Sequence, residues 1–353
     1  MSGGFMVPKP GSTLILIFAL IVVVAAVGML LYFLLLHQPQ KVEQHYLVEL
    51  KSIFSTPDTL EKFFSDVHTT WLDSGTGKLY VTDMKTSCIA LFDTNLVFLY
   101  RIGQTGDAGN EFRWPAYVRT RDNMMYVSDV GHSCLKVLKH TGEYVTSIRL
   151  SWPQLMHPFA IDSTGYIIVN APFNDDSLLV VYDTSGKIAR RFGQRIRRPS
   201  ETQTLLQNLV SPVVGEDGSI YVVFLSLPYI RKYSRDFQLV MEKDLSSAPE
   251  THYGMSWVKK AQMENPRMIY SMVNGVYCRS PYLYVMYPGD LPHGATLFAY
   301  DAETFQLRKA IMTNLSAQSW DSTREIKNFV VLPGGNVVSF DMKTARLVKY
   351  AVR

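Results

Sequence analysis

Lys78-Leu79-Tyr80-Val81-Thr82-Asp83, then four residues, then Cys88-Ile89-Ala90-Leu91-Phe92-Asp93: this stretch is met again as Met124-Met125-Tyr126-Val127-Ser128-Asp129, four residues, and Cys134-Leu135-Lys136-Val137-Leu138. Tyr80 and Tyr126 stand 46 residues apart. Self-similarity at such a period marks one supersecondary unit used repeatedly. Each copy reads as two strands: aromatic and branched residues run up to an aspartate, a polar turn follows, and a second apolar run rises. Weaker copies begin at Gly165-Tyr166-Ile167, Gly218-Ser219-Ile220, Tyr282-Leu283-Tyr284 and Gly335-Asn336-Val337, giving six copies in all.

Turn chemistry separates them. Thr94-Asn95, Thr141-Gly142, Ser185-Gly186, Arg235-Asp236 and Glu303-Thr304 follow the second strand of the first five copies, and such residues suit hairpin tips. A third strand leaves each turn, as at Phe98 to Ile102. Prolines at Trp114-Pro115, His157-Pro158 and Ser211-Pro212 open the next copies, where a missing amide donor is tolerated. Small antiparallel sheets in radial repetition make a β-propeller. Six units in this length allow roughly 40–50 residues per blade, and the runs lack the helical period of a solenoid. The expected fold is therefore all-β, a six-bladed propeller over 56–353.

The stretch Ile102-Gly103-Gln104-Thr105-Gly106, then Gly109-Asn110-Glu111-Phe112-Arg113-Trp114-Pro115, then Tyr126-Val127-Ser128-Asp129, resembles an NHL repeat. The resemblance covers about residues 60–353 and is concentrated in 78–187; from Val210 onward Phe224 and Tyr287 stand where Asp83 does. It implies a six-bladed propeller and no single activity. Some eukaryotic NHL propellers bind RNA through basic faces, and six-bladed propellers include calcium-dependent lactonases and amidating lyases. Because the chain stops just after a second-strand signature, the segment His45 to Ile53, within a linker at 37–55, is the candidate strand to complete the sixth blade.

Residues 10–36 carry no charged side chain, and Leu14 to Leu36 is almost wholly aliphatic. As a helix this run rises about 35 Å, enough to cross a bilayer core. A short tail at 1–11 and a transmembrane helix at 12–36 are expected, with lipid as its partner. A cleaved signal peptide is the competing reading, against which the run is longer than an ordinary signal h-region. Lys9 on one side and Lys41 on the other leave orientation nearly tied. A short tail before a large domain fits an uncleaved signal anchor, with the propeller periplasmic or extracellular.

The formal net charge of +4 does not suggest nucleic acid, and none is expected as a partner. Three cysteines read as small buried hydrophobes, and no Cys-x-x-Cys-His is present for haem attachment. Arg190, Arg191, Arg195, Arg197 and Arg198 cluster between copies three and four; they are either a solvated linker or a docking point for phosphate or carboxylate groups. Inserts at 195–209 and 244–280 lengthen two connections. The second carries Tyr253, Met255, Trp257, Met263, Met268, Tyr270 and Met272, a composition found at interface cores, or one that packs on its own propeller.

Asp83, Asp129 and Asp341, with Asn170, recur at one repeat position. Bonding turn amides is the expected role, and a metal ring in the channel the alternative. The eight histidines show no ligand spacing. No nucleophile elbow or phosphate loop is present, so no catalytic residue, metal or cofactor is expected. These readings converge on a membrane-tethered, non-catalytic propeller that binds other envelope proteins, with Arg190, Arg191, Arg195, Arg197, Arg198, Tyr253, Met255, Trp257 and Tyr270 as contacts. The alternative is a metal-dependent hydrolase or lyase acting in the channel.

Overall fold

Leu79 to Asp83 and Cys88 to Phe92 are buried at every position. A half-exposed strand would alternate, so these strands must be covered on both faces. Alternate residues indeed meet opposite neighbours. Leu79, Val81, Ala90 and Phe92 pack with Val330, Val338 and Phe340 on one side. Tyr80, Ile89 and Leu91 pack with Phe112, Val118, Met125 and Val127 on the other.

The computed structural model describes residues 27–28, 47–55, 64, 66–287, 295–313, 326–341 and 345–352. The chain divides into two units, Met1–Lys41 and Val42–Arg353. The expected membrane helix at 12–36 lies outside the described residues apart from Val27 and Gly28, which are helical. Among the described residues no helix is long and apolar enough to cross a membrane.

The second unit is a six-bladed propeller, as the repeat predicts. Its first strand is β1 (Leu47–Ser55). Blade one is β2 (Val67–Asp73), β3 (Lys78–Asp83), β4 (Cys88–Phe92) and β5 (Phe98–Ile102). Blade two is β6 (Pro115–Arg121), β7 (Met124–Asp129), β8 (Cys134–Lys139) and β9 (Tyr144–Arg149). Blade three is β10 (Ala160–Ile161), β11 (Ile167–Asn170), β12 (Ser177–Tyr182) and β13 (Ile188–Gln194). Blade four is β14 (Val210–Val214), β15 (Ile220–Phe224), β16 (Tyr229–Tyr233) and β17 (Leu239–Asp244). Blade five is β18 (Gly275–Arg279), β19 (Tyr282–Met286), β20 (Ala295–Asp301) and β21 (Leu307–Thr313). In each of these five the strands pair antiparallel in chain order.

Blade six takes β22 (Ile326–Val331), β23 (Val337–Asp341) and β24 (Arg346–Val352) from the end of the chain. Its fourth strand is β1, antiparallel to β24 with Leu50 opposite Val352. The same strand runs parallel to β21, Leu47 opposite Ala310, so blades five and six share one eight-stranded sheet. The six inner strands contact one another in a closed ring, β2–β6–β10–β14–β18–β22 and back to β2.

The tips follow the turn chemistry. Gly142 and Gly186 adopt φ of +88° and +82°, a left-handed backbone that glycine accepts without a Cβ clash. The inserts hold short helices. A four-residue turn, α1 (Trp152–Leu155), precedes blade three; α2 (Glu201–Gln207) fills the first insert and α3 (Pro249–Glu264) the second. The three cysteines are free thiols, Cys88 and Cys134 buried and Cys278 half-buried.

Candidate functional site

The ring of inner strands leaves two cavities stacked along the axis. The larger, lower cavity, about 340 Å³, is lined by the ends of the inner strands and their turns, including Asp73, Arg121, Ile161, Val213, Glu216, Cys278 and Arg279. The smaller, upper cavity, about 170 Å³, is lined nearer the strand starts by Thr70, Tyr117, His157, Ser211, Asn274 and Asn328. Trp71, Arg119 and Tyr277 line both. They form the waist between them.

The repeat explains this level. Trp71 pairs with Tyr80, Arg119 with Tyr126 and Tyr277 with Tyr284, which are equivalent tyrosines of three copies. Ile161 opposite Ile167 and Val213 opposite Tyr221 hold the same level in blades three and four. Among these five channel residues Arg119 alone is charged. Strand β6 alternates, so Tyr117, Arg119 and Arg121 share the channel face while Ala116 and Val118 enter the core.

Arg119 is 7 % exposed. Its guanidinium lies 4.3 Å from the Trp71 ring centroid and 5.7 Å from that of Phe159. Nη1 donates to the Val118 carbonyl at 2.8 Å. Among the described residues no carboxylate forms an ion pair with it, and its nearest titratable neighbours are Tyr117 and Tyr277, both neutral near pH 7 because burial pushes their pKa up to about 12. Burial pushes its pKa down to about 10. Taking a guanidinium out of water costs several kcal/mol, while a desolvated cation–π contact returns about 2 kcal/mol and one charge-assisted hydrogen bond roughly 1.5–3 kcal/mol. Among the described residues the Val118 carbonyl is the hydrogen-bond acceptor of the Arg119 fork, and no carboxylate is.

Two groups of the upper cavity add to this. The Thr70 hydroxyl is buried and has no hydrogen-bond partner among the described residues. Burial lowers the His157 pKa to about 4, so this imidazole stays neutral near pH 7. The arrangement can bind an anion, orient it against aromatic walls and offer a neutral ring nitrogen nearby. Among the described residues no group of three or more His, Cys, Asp or Glu side chains is placed to hold a metal ion.

The residues singled out from sequence lie elsewhere. Asp83 accepts the amides of Asp66, Lys85 and Thr86. Asp129 accepts the Arg113 amide at 2.8 Å and lies 2.6 Å from His132 Nδ1 and 3.3 Å from Lys136 Nζ. Asn170 exchanges two hydrogen bonds with the Val210 backbone, joining blades three and four. Asp341 is buried at the end of β23.

The arginine cluster is largely tied to the propeller itself. Arg190 donates to the Asp236 carbonyl and Arg191 pairs with Asp175 at 2.7 Å. Arg195 donates to the carbonyls of Pro172 and Ser177. Arg197 sits 3.8 Å from Asp176 and from Glu201, and Arg198 is exposed.

In α3, Glu250, Thr251, Gly254 and Val258 are buried, and Glu250 accepts from Tyr300 at 2.8 Å. Met255, Trp257 and Tyr270 pack partly against the core, with Trp257 and Tyr270 edge to face at 5.7 Å; Tyr253 is half-buried. Met263 and Met268 are 72 % and 54 % exposed.

No protein-family model matches the chain, and no curated protein matches it by sequence. The NHL resemblance is therefore not confirmed at the level of family. Solved structures do match. A protein from Bacteroides fragilis described as exported has a TM-score of 0.57 at 13 % identity, covering 89 % of this chain and 98 % of its own. A virginiamycin B lyase from Staphylococcus aureus has a TM-score of 0.52 at 11 % identity, covering 87 % and 100 %. A streptogramin B lyase has a TM-score of 0.51 at 12 % identity, covering 87 % and 97 %.

At this identity the likeness shows the fold. It also corrects one expectation. The chain was expected not to be an enzyme, and two of these three similar structures are lyases. The absence of familiar catalytic motifs was the only ground for that expectation. Propeller sites are assembled from scattered blades, so a short linear motif need not mark them.

Proposed function

We propose that this propeller binds a small organic molecule in its central channel, at the waist formed by Trp71, Arg119 and Tyr277. One observation carries the reading: an axial cavity of about 340 Å³ opens onto a buried arginine that no described carboxylate neutralises. That volume lies at the small end of ligand pockets, roughly 300–1,000 Å³. Aromatic walls with one convergent charged group are the usual make-up of such a site. The propeller works on the outer side of a membrane, held by the apolar run 14–36. The sequence of that run and the likeness to an exported protein support this placement.

The test uses the full chain, extracted in mild detergent, and a library of metabolite-sized compounds. A channel ligand at a hundred times its dissociation constant stabilises by about 2.7 kcal/mol, a rise of roughly 4 °C in Tm for a unit of this size. Ile161→Trp, which fills the lower cavity, is expected to abolish the rise. A library without a single stabilising compound, or equal shifts in the filled variant, would overturn the reading.

A further inference from the structure

We propose that the channel ligand is an organic carboxylate, bound through its carboxylate to Arg119, with an apolar body lying along Trp71, Tyr277, Ile161 and Val213. This rests on the channel reading above and adds the chemical class.

The other charges that line the cavity point elsewhere or stand at its rim. Arg121 donates to Asp122 and to the Ser163 carbonyl. Arg279 donates to the Val331 carbonyl at 3.2 Å. Asp73 accepts the Gly75 and Thr76 amides and lies 3.5 Å from His140. Glu216 is exposed at the rim. Among the described residues Arg119 is left as the cation at the waist without an anion.

Its geometry selects the partner. Trp71 covers the guanidinium at 4.3 Å, so an anion approaches the donor edge of the fork rather than its face. A planar carboxylate matches that edge bidentately. It also balances the single positive charge. A phosphate would bring close to two negative charges onto a single buried guanidinium. The Thr70 hydroxyl, 4 % exposed and without a partner, offers another donor in the upper cavity. At the level of the fork the neighbouring walls are Trp71, Tyr277, Ile161 and Val213, which sets an apolar body there.

Crystals of the full chain soaked separately in 4-iodobenzoate and 4-iodobenzamide would test this, with anomalous scattering from iodine marking each probe. Iodobenzoate is expected in the lower cavity with its carboxylate on the Arg119 fork, and iodobenzamide is not expected there. In solution Arg119→Met should weaken iodobenzoate roughly 10- to 100-fold, and Arg119→Lys should restore part of the affinity. Without ligand, Arg119→Met should be at least as heat-stable as the wild type, because a buried unpaired charge is removed. A lowered Tm would instead mark a structural arginine and overturn the assignment. Iodobenzamide alone in the channel would overturn the carboxylate class and leave the channel reading standing. Both probes absent from the channel would overturn both.

Discussion

Arg119 and His157 show how one residue reads its surroundings. Each is polar and buried beside the axis, and each has its pKa moved down by burial, Arg119 to about 10 and His157 to about 4. For His157 the sign follows from linkage. The unfolded chain takes up a proton near pH 6.5, and the folded chain resists until about pH 4. The stability is fully present above pH 6.5 and is lost as pH falls toward 4, by about 3 kcal/mol. His157→Gln should therefore lose less stability than the wild type between pH 7 and 4, by about that amount. Urea unfolding at the two pH values measures it, and parallel losses in the two proteins would refute the claim.

At this scale legibility was uneven. The repeated aspartates were visible because the same letter recurs; Asp83 accepts the amides of Lys85 and Thr86, and Asp129 accepts that of Arg113. Arg119 was hidden because its equivalents are Trp71, Ile161, Val213 and Tyr277. A position that differs in every blade makes no pattern. The signal that could have exposed it is Tyr117-Val118-Arg119-Thr120-Arg121, an alternating strand whose polar face must point somewhere.

The elements were mostly readable because strand chemistry is local. Aromatic and branched runs ending in turn residues marked the second and third strands of the blades, and the prolines marked inner strands such as β6 and β14. Helix α3 was read only as an insert. Its start at Pro249 and its Lys259-to-Glu264 run are good helix signals, but they sit among aromatics that suggested a loop. Helix α2 likewise carries Ser200 as its cap, accepting the Gln203 amide.

The element on which the second unit depends most is β1. It fills the space between β21 and β24 and lends backbone pairing to both. Removing residues 45–55 leaves two unpaired edges, which invite aggregation. The expected cost is about 5 kcal/mol, or roughly 8 °C in Tm. Thermal unfolding of the truncated domain checks this, and an unchanged Tm would show that the propeller closes without β1.

For the molecule as a whole, six inner strands in a ring produce a hollow that none of them could make alone. The middle strands are buried on both faces by neighbouring blades, so the sheets supply rigidity around a hollow axis. The side chains at the waist come from blades one, two and five, far apart in the chain. Packing of the blades therefore carries the function, and neither a single motif nor a single loop does. The most direct measurement is a crystal structure of the full chain purified without added ligand. The expected result is six blades around an open axis, with a non-protein carboxylate on the Arg119 guanidinium. An axis filled by side chains, or a protein carboxylate paired with Arg119, would contradict it.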